Sequence, residues 1–234
     1  MNKAIFLLLI SFIIYNFALL NKYPLVTPDE TWFANYAYSL TEKEALNSSP
    51  FEHRLPMIDK PSQIAYGPVY PLILSLPLRF FPYGLTTTRL TSTFLGALTI
   101  FTFFLLLKSL FKSSVLAFLS TFLLSIDYSF LLRARFVRPE ILVILFTYLS
   151  YLLYQKKHYL LTGLFISLSI FSHYFIGIIP LITIFLHYFL NRQSPKTKNF
   201  LFLILPTIFF LLFWLLYLNP AGHGGFNSAW QAIV

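Results

Sequence analysis

The 234-residue sequence contains no cysteine. Disulfide bonds, thiolate catalysis and cysteine-ligated metal sites are therefore excluded. Charged residues are also scarce, at 11% of the chain, whereas hydrophobic residues make up 57%. An ordinary soluble domain has about 25% charged residues, so this composition indicates an integral membrane protein.

Long apolar runs recur along the chain, and about seven of them have roughly the length that crosses a bilayer. They lie at about Ala4–Leu20, Leu90–Leu107, Val115–Leu132, Ile141–Tyr154, Tyr159–Phe171, Phe175–Leu190 and Phe200–Leu218. The run Val69–Phe81 is short, contains two prolines and carries Arg79, which favours an interfacial or re-entrant helix. The predicted fold is all-α, with about seven transmembrane helices and amphipathic juxtamembrane helices in the first outer loop.

The apolar runs end alternately on the two sides of the membrane, and the ends on one side carry no acidic residue. This asymmetry predicts the orientation of the chain in the membrane. With a cytoplasmic amino terminus, the cytoplasmic ends carry bases without acids: Lys3, Lys108, Lys112, Lys156, Lys157, Arg192, Lys196 and Lys198. All eight acids then fall outside or at the outer membrane edge: Asp29, Glu30, Glu42, Glu44, Glu52, Asp59, Asp127 and Glu140. The net charge of +9 is thus explained by membrane orientation rather than by nucleic-acid binding.

The predicted location is the plasma (inner) membrane, with several passes and an active extracytoplasmic face. The first run has no small-x-small cleavage motif after it, which predicts an uncleaved signal anchor. The long polar region Asn21–Arg89 is the first outer loop, and long ordered loops often carry function.

An adjacent pair of carboxylates, Asp29 and Glu30, opens this loop. Thr27 and Glu30 have the spacing of a capping box, and Pro28 occupies the favoured first helical position. The apolar side chains that follow predict one face of a surface helix: Trp32, Phe33, Tyr36, Ala37 and Leu40. The acids are therefore either helix caps or functional groups that face the lipid head groups.

A second polar segment of the predicted outer face, Arg133–Glu140, contains three arginines. This opposes the usual charge bias, in which basic residues concentrate on the cytoplasmic side. Arg138 and Glu140 could cap the helix that begins near Pro139. The alternative is an anion site, because guanidinium groups bind phosphate in a fixed bidentate geometry. Arg89 would add a cation, and His173 reaches the same face through a short hairpin, although a lone histidine is more often structural.

These motifs occur in an order that is typical of one family. Pro28-Asp29-Glu30 follows the first span, then come the segments Tyr66–Leu72, Arg89–Gly96 and Arg135–Glu140. The chain resembles the GT-C membrane glycosyltransferases, in particular the branch with protein O-mannosyltransferases, lipid A aminoarabinose transferases and RgtA/B/C/D-like proteins. The resemblance covers nearly the whole chain.

The resemblance implies an inverting transfer of a hexose or pentose from a polyprenyl-phosphate donor to an acceptor hydroxyl of a lipid, glycan or protein. It implies the catalytic acids Asp29, Glu30 and Glu140, with Asp29 as general base. The implied donor-phosphate ligands are Arg89, Arg135, Arg138 and His173, and the implied loop aromatic segment contains Tyr66, Pro68 and Tyr70. No metal ligands are implied, although a divalent cation remains open as an alternative counter-charge for the phosphate.

The sequence departs from the family pattern in two places. The frequent Lys-Pro-Pro segment reads Tyr66-Gly67-Pro68, and the chain ends at Val234, where family members usually continue with further spans. The resemblance therefore implies a single module, residues 1–234, that lacks a carboxy-terminal part. Two alternatives stay open: a degenerate, non-catalytic family member, and a small transporter subunit. Transporters usually place ionisable groups near the middle of their spans, whereas these spans are almost free of them; His187 and the polar Asn16 are modest exceptions.

Overall fold

The computed structural model describes residues 2–42, 67–190 and 197–218. Within these ranges the chain is all-helical and has no strand, so the predicted fold class is confirmed at this level. The α-helices are α1 (Asn2–Leu19), α2 (Pro28–Glu42), α3 (Val69–Leu78), α4 (Leu85–Phe111), α5 (Ser114–Ile126), α6 (Tyr128–Arg135), α7 (Glu140–Gln155), α8 (Tyr159–Ile170), α9 (Ile179–Leu190) and α10 (Thr197–Leu218). A short 3₁₀ turn, Ile176–Ile178, precedes α9.

Helix α4 is the centre of the bundle. It packs against α1, α3, α5, α6 and α7, while α8 packs between α7 and α10. Thr99 on α4 is fully buried, and its hydroxyl donates to the Leu95 carbonyl of the same helix at 2.8 Å. A small side chain of this kind lets neighbouring helices approach closely.

One apolar run is broken in the structure, and another forms only a short helix. The run Val115–Leu132 is broken at Asp127, where α5 and α6 meet at an angle of 66°. The cause is local: the Asp127 backbone is extended and its Oδ1 accepts the Phe130 N–H at 2.8 Å, which starts a new helix. The run predicted as the third span is therefore two helices rather than one. The run Val69–Phe81 forms only the ten-residue α3, in keeping with a short helix.

Helix length distinguishes α4 from its neighbours. Within the described ranges α4 is long and apolar enough to cross a membrane, and the bent α5–α6 pair would be a second such element if it forms one span. The other apolar helices, including α1, α7 and α8, provide segments of 10–17 residues, which is short of the roughly 20 residues that span a bilayer.

The bundle has two chemically different ends. At one end the Ser109 hydroxyl of α4 donates to Oε1 of Gln155 on α7 at 3.1 Å. Here α4 and α7 both finish, next to Lys112 and Lys156 in the sequence. At the opposite end, where both helices begin, lie Glu30 and Arg89. We call this second end the acidic end, because the described acids that contact arginines are found there.

A close backbone approach joins α3 to the turn after α8. The Val69 N–H donates to the Phe171 carbonyl at 3.1 Å, and a Cβ placed on Gly67 would overlap that same carbonyl. Glycine at position 67 is therefore required for this contact.

Candidate functional site

The two adjacent acids of α2 point in different directions. The helix begins at Pro28, as predicted, and the Thr27 N–H donates to Glu30 Oε2 at 3.2 Å. This is one half of a capping box; Thr27 Oγ1 is buried and makes no hydrogen bond to the described residues. Because successive helical residues are rotated by about 100°, the Asp29 side chain is 52% exposed whereas that of Glu30 is 1% exposed.

Glu30 and Arg89 form a buried ion pair with two hydrogen bonds. Arg89 Nε–H donates to Oε1 at 2.9 Å and Nη2–H donates to Oε2 at 2.7 Å. Arg89 also donates to the Leu20 carbonyl at 2.7 Å, and the Val137 N–H donates to Glu30 Oε1 at 3.2 Å. The pair thus joins α1, α2, α4 and the segment before α7.

This geometry gives Glu30 and Arg89 a structural role. Arg89 has no exposed side-chain surface, and its three bonds are made within the bundle. A phosphate could reach it only if the ion pair opened, which would leave a buried charge without a partner. In this arrangement the Glu30 carboxylate and the Arg89 guanidinium bind each other and are shielded from solvent.

Arg135 is also buried. Its Nε–H donates to Asn16 Oδ1 at 2.6 Å, its Nη1–H donates to the Tyr23 carbonyl at 3.4 Å, and its guanidinium lies 5.2 Å from the Tyr15 ring centroid. These contacts hold α6 against the end of α1. Arg135, predicted as a phosphate ligand, is therefore a packing residue in this structure, and it accounts for the buried Asn16 in the first apolar run.

The remaining predicted groups meet at the surface of the acidic end. Arg138 Nη1 lies 3.2 Å from Asp29 Oδ2, and Arg138 Nη2 lies 2.9 Å from Glu140 Oε1. Arg133 Nη1 lies 3.3 Å from the same Glu140 oxygen. We call these four residues, Asp29, Arg133, Arg138 and Glu140, the outer cluster. All four are at least partly exposed to solvent.

The structure thus brings Asp29 together with Arg138 and Glu140, which lie more than one hundred residues further along the sequence. Arg133 was not predicted as a site residue. The signal was present, because Arg133 lies in the same arginine-rich segment, but sequence alone does not show that the end of α6 turns Arg133 toward Glu140 and Arg135 away from it.

His173 lies beside the outer cluster, in the turn after α8. Burial lowers the pKa of its imidazole below the usual range; the nearby Glu140 carboxylate opposes this shift, and the Arg138 guanidinium adds to it. The imidazole is therefore neutral at pH 7. A neutral ring beside the cluster does not add a positive charge to a phosphate site.

The predicted aromatic segment forms part of the packing beneath the cluster. Tyr66 lies outside the described residues, and Pro68 is buried just before α3. The Tyr70 hydroxyl is 2.8 Å from Ser92 Oγ, and its ring meets Phe33 edge-on at 5.6 Å. Burial raises the pKa of Tyr70, so it remains a neutral phenol that holds α3 against α2 and α4.

An apolar groove of about 320 Å³ opens between α1, α5 and α6. Its lining is Leu8, Ser11, Phe12, Tyr15, Phe122, Ser125, Ile126 and Leu131. Tyr15 is shared between the groove and the Arg135 contact, so the groove reaches the segment that also carries the outer cluster. Its lining suits a hydrocarbon chain rather than a polar ligand.

The acids of the outer cluster do not form a typical metal site. In the part of the chain that the structure describes, no group of three or more histidine, cysteine, aspartate or glutamate side chains is placed to hold a metal ion. Asp29 and Glu140 are instead bridged by a guanidinium. The counter-charge that this arrangement offers to an anion is therefore that of arginine.

Comparisons of this chain with protein-family models, with curated proteins and with solved structures find no match. The functional interpretation consequently depends on the chemistry of the outer cluster and on the order of motifs in the sequence.

Proposed function

We propose that this protein is an integral-membrane glycosyltransferase that transfers a sugar from a polyprenyl-phosphate donor to an acceptor hydroxyl. The observation that carries the proposal is the contact of Asp29 with Arg138 in a cluster that also contains Glu140 and Arg133. A half-exposed carboxylate can take a proton from a hydroxyl, and an adjacent guanidinium can stabilise a phosphate leaving group. Both groups lie at one surface of an apolar, all-helical bundle.

The reaction follows from these two functions. The acceptor oxygen attacks the anomeric carbon while its proton passes to a carboxylate oxygen of Asp29. The bond from the anomeric carbon to the phosphate oxygen breaks, and the polyprenyl phosphate leaves with the electron pair. Arg138 and Arg133 balance the charge that develops on the phosphate. A single displacement at the anomeric carbon inverts its configuration.

Of the three acids that the sequence offered, Asp29 is the one we assign as general base. Glu140 contacts both arginines, so it positions them and limits their movement. Glu30 and Arg89 hold α2 to the segment before α7, which fixes the distance between Asp29 and Arg138. Glu30 and Arg89 therefore affect the reaction indirectly, because they hold Asp29 and Arg138 in position.

We further propose that the acidic end faces the extracytoplasmic side of the plasma membrane and that seven spans carry the chain across it. The contact between Ser109 and Gln155 supports this topology, because it groups the basic ends of α4 and α7 on the face opposite the outer cluster. A polyprenyl donor would then present its phosphate to Arg138 at the membrane surface. The groove between α1, α5 and α6 offers an apolar surface for its tail.

The proposal is tested with the full chain in lipid nanodiscs and radiolabelled polyprenyl-monophosphate hexoses and pentoses. A membrane extract supplies candidate acceptors. Free polyprenyl phosphate should be released, and the transferred sugar should carry the inverted anomeric configuration by NMR. Nanodiscs that contain heat-denatured protein are the control. Retention of configuration contradicts the single displacement, and an absence of transfer from all of these donors favours a non-catalytic family member.

A further inference from the structure

Arg138 occupies an unusual position, because one guanidinium contacts both acids of the outer cluster. Nη1 is engaged by Asp29 and Nη2 by Glu140, while Nε is buried and makes no hydrogen bond to the described residues. An arginine offers five N–H donors in a planar fork that matches a phosphate group. Arg138 therefore holds the two acids at rest with the same donors that an incoming phosphate would use.

The two acids differ in what they would lose if a phosphate took Arg138. Glu140 also contacts Arg133 at 3.3 Å, so it would keep a positive partner. Asp29 has one ion-pair partner among the described residues, Arg138, and its carboxylate is half exposed. A phosphate that binds Arg138 would therefore release Asp29 and leave Glu140 in place.

We propose that Arg138 is a latch that keeps Asp29 bound until a phosphate group takes its place. The inference rests on the proposed function and adds an order to it: the donor binds first, and Asp29 becomes available as base only afterwards. At rest, Oδ2 of Asp29 lies 3.2 Å from Arg138 Nη1, so this oxygen can meet an acceptor hydroxyl only after the contact has opened.

The latch also accounts for the step after transfer. The sugar-phosphate diester carries one negative charge, and the released polyprenyl monophosphate carries up to two, so the product binds Arg138 more strongly than the donor does. Asp29, now protonated, is exposed and can return its proton to solvent. Arg138 can contact Asp29 again only when the product phosphate has left. Free polyprenyl phosphate should therefore keep the latch open.

The experiment uses the full chain in detergent micelles with ¹³C-carboxyl aspartate. The sequence contains three aspartates, Asp29, Asp59 and Asp127, so the spectrum is assigned with single Asp→Asn variants. Farnesyl phosphate, inorganic phosphate and farnesol are titrated separately. We expect farnesyl phosphate to move the Asp29 signal while that of Asp127, a helix cap outside the cluster, stays constant.

The probes separate the sources of the phosphate. A response to inorganic phosphate at the same concentration means that the phosphate group is sufficient, and a response to farnesyl phosphate alone means that the lipid carrier is required; both support the latch. In Arg138→Gln the Asp29 signal should start near its released position and should not respond. A wild-type Asp29 signal that does not move with either phosphate, or that moves equally with farnesol, overturns the proposal.

The latch and the proposed function fail separately. If the Asp29 signal moves but no sugar is transferred, the phosphate latch stands and the transferase assignment fails. If sugar is transferred while the Asp29 signal stays constant, the transferase assignment stands and the latch is wrong.

Discussion

Glu30 and Arg89 are 59 positions apart in the sequence, yet they form a two-bond ion pair that is almost completely shielded from solvent. The pair connects the helix that carries Asp29 with the central helix α4, and Glu30 also accepts the Val137 N–H next to Arg138. The geometry of the exposed cluster therefore depends on a buried contact beneath it.

The first prediction concerns this pair. In Glu30→Gln the amide keeps the shape of the side chain but leaves the Arg89 charge buried without its counter-ion. Breaking such a pair costs about 3–5 kcal/mol, so the thermal midpoint in detergent, followed by tryptophan fluorescence, should fall clearly. Glu42→Gln, at the exposed end of the same helix, is the matched control and should leave the midpoint unchanged. Equal midpoints for the two variants would show that the buried pair contributes nothing.

The second prediction separates two arginines of one segment. Arg135→Lys cannot reproduce the contacts with Asn16 and the Tyr15 ring, because a lysine lacks the planar fork. The loss of a charge-assisted hydrogen bond should destabilise the protein by about 1.5–3 kcal/mol. Arg133→Lys, at an exposed position, should stay close to the wild-type midpoint. The reverse order of the two midpoints would contradict the packing role of Arg135.

The third prediction concerns the pH dependence of stability. Burial lowers the pKa of His173 in the folded state, so the unfolded chain binds this proton more readily. The stability linked to His173 is present above pH 6.5 and is lost as the pH falls through the lower folded-state pKa. Between pH 7.5 and pH 5, the thermal midpoint of wild type should fall more than that of His173→Gln. His158→Gln, at an exposed position, should retain the wild-type pH dependence.

The fourth prediction tests the orientation in the membrane. The chain has no cysteine, so single cysteines can be labelled without background. Ser129→Cys, at an exposed position of α6 four residues before Arg133, should react with an impermeant maleimide in intact cells. Lys156→Cys, at the opposite end of α7, should react only after the membrane is permeabilised. Labelling of Lys156→Cys in intact cells, with protection of Ser129→Cys, would invert the proposed topology.

The helical architecture was accessible from sequence because apolar runs and their boundaries are local signals. The starts of α2 at Pro28 and of α7 at Glu140 follow from a capping-box spacing and from Pro139. The break at Asp127 was missed because one polar residue in an apolar run is a weak signal. Its effect becomes visible only when its side chain caps the next helix.

The site was only partly accessible for a different reason. Sequence can identify Arg89, Arg135 and Arg138 as cations close to the ends of apolar runs, but it does not show which way each side chain points. Arg89 and Arg135 turn inward because Glu30 and Asn16 are there to receive them, and these partners lie more than fifty residues away. Burial of this kind is a tertiary property, so local spacing does not reveal it.

Asp29 is the proposed general base, and the transfer rate of Asp29→Asn tests this role directly. Asparagine is nearly isosteric and is well accepted at the start of a helix, so the fold should be kept and the thermal midpoint should be unchanged. Loss of a general base should lower the rate of transfer from the polyprenyl-phosphate donor by about 10²–10⁴-fold. Asp127→Asn, at another exposed helix start, should retain the wild-type rate. Wild-type transfer by Asp29→Asn would contradict the assignment of Asp29 as the catalytic base.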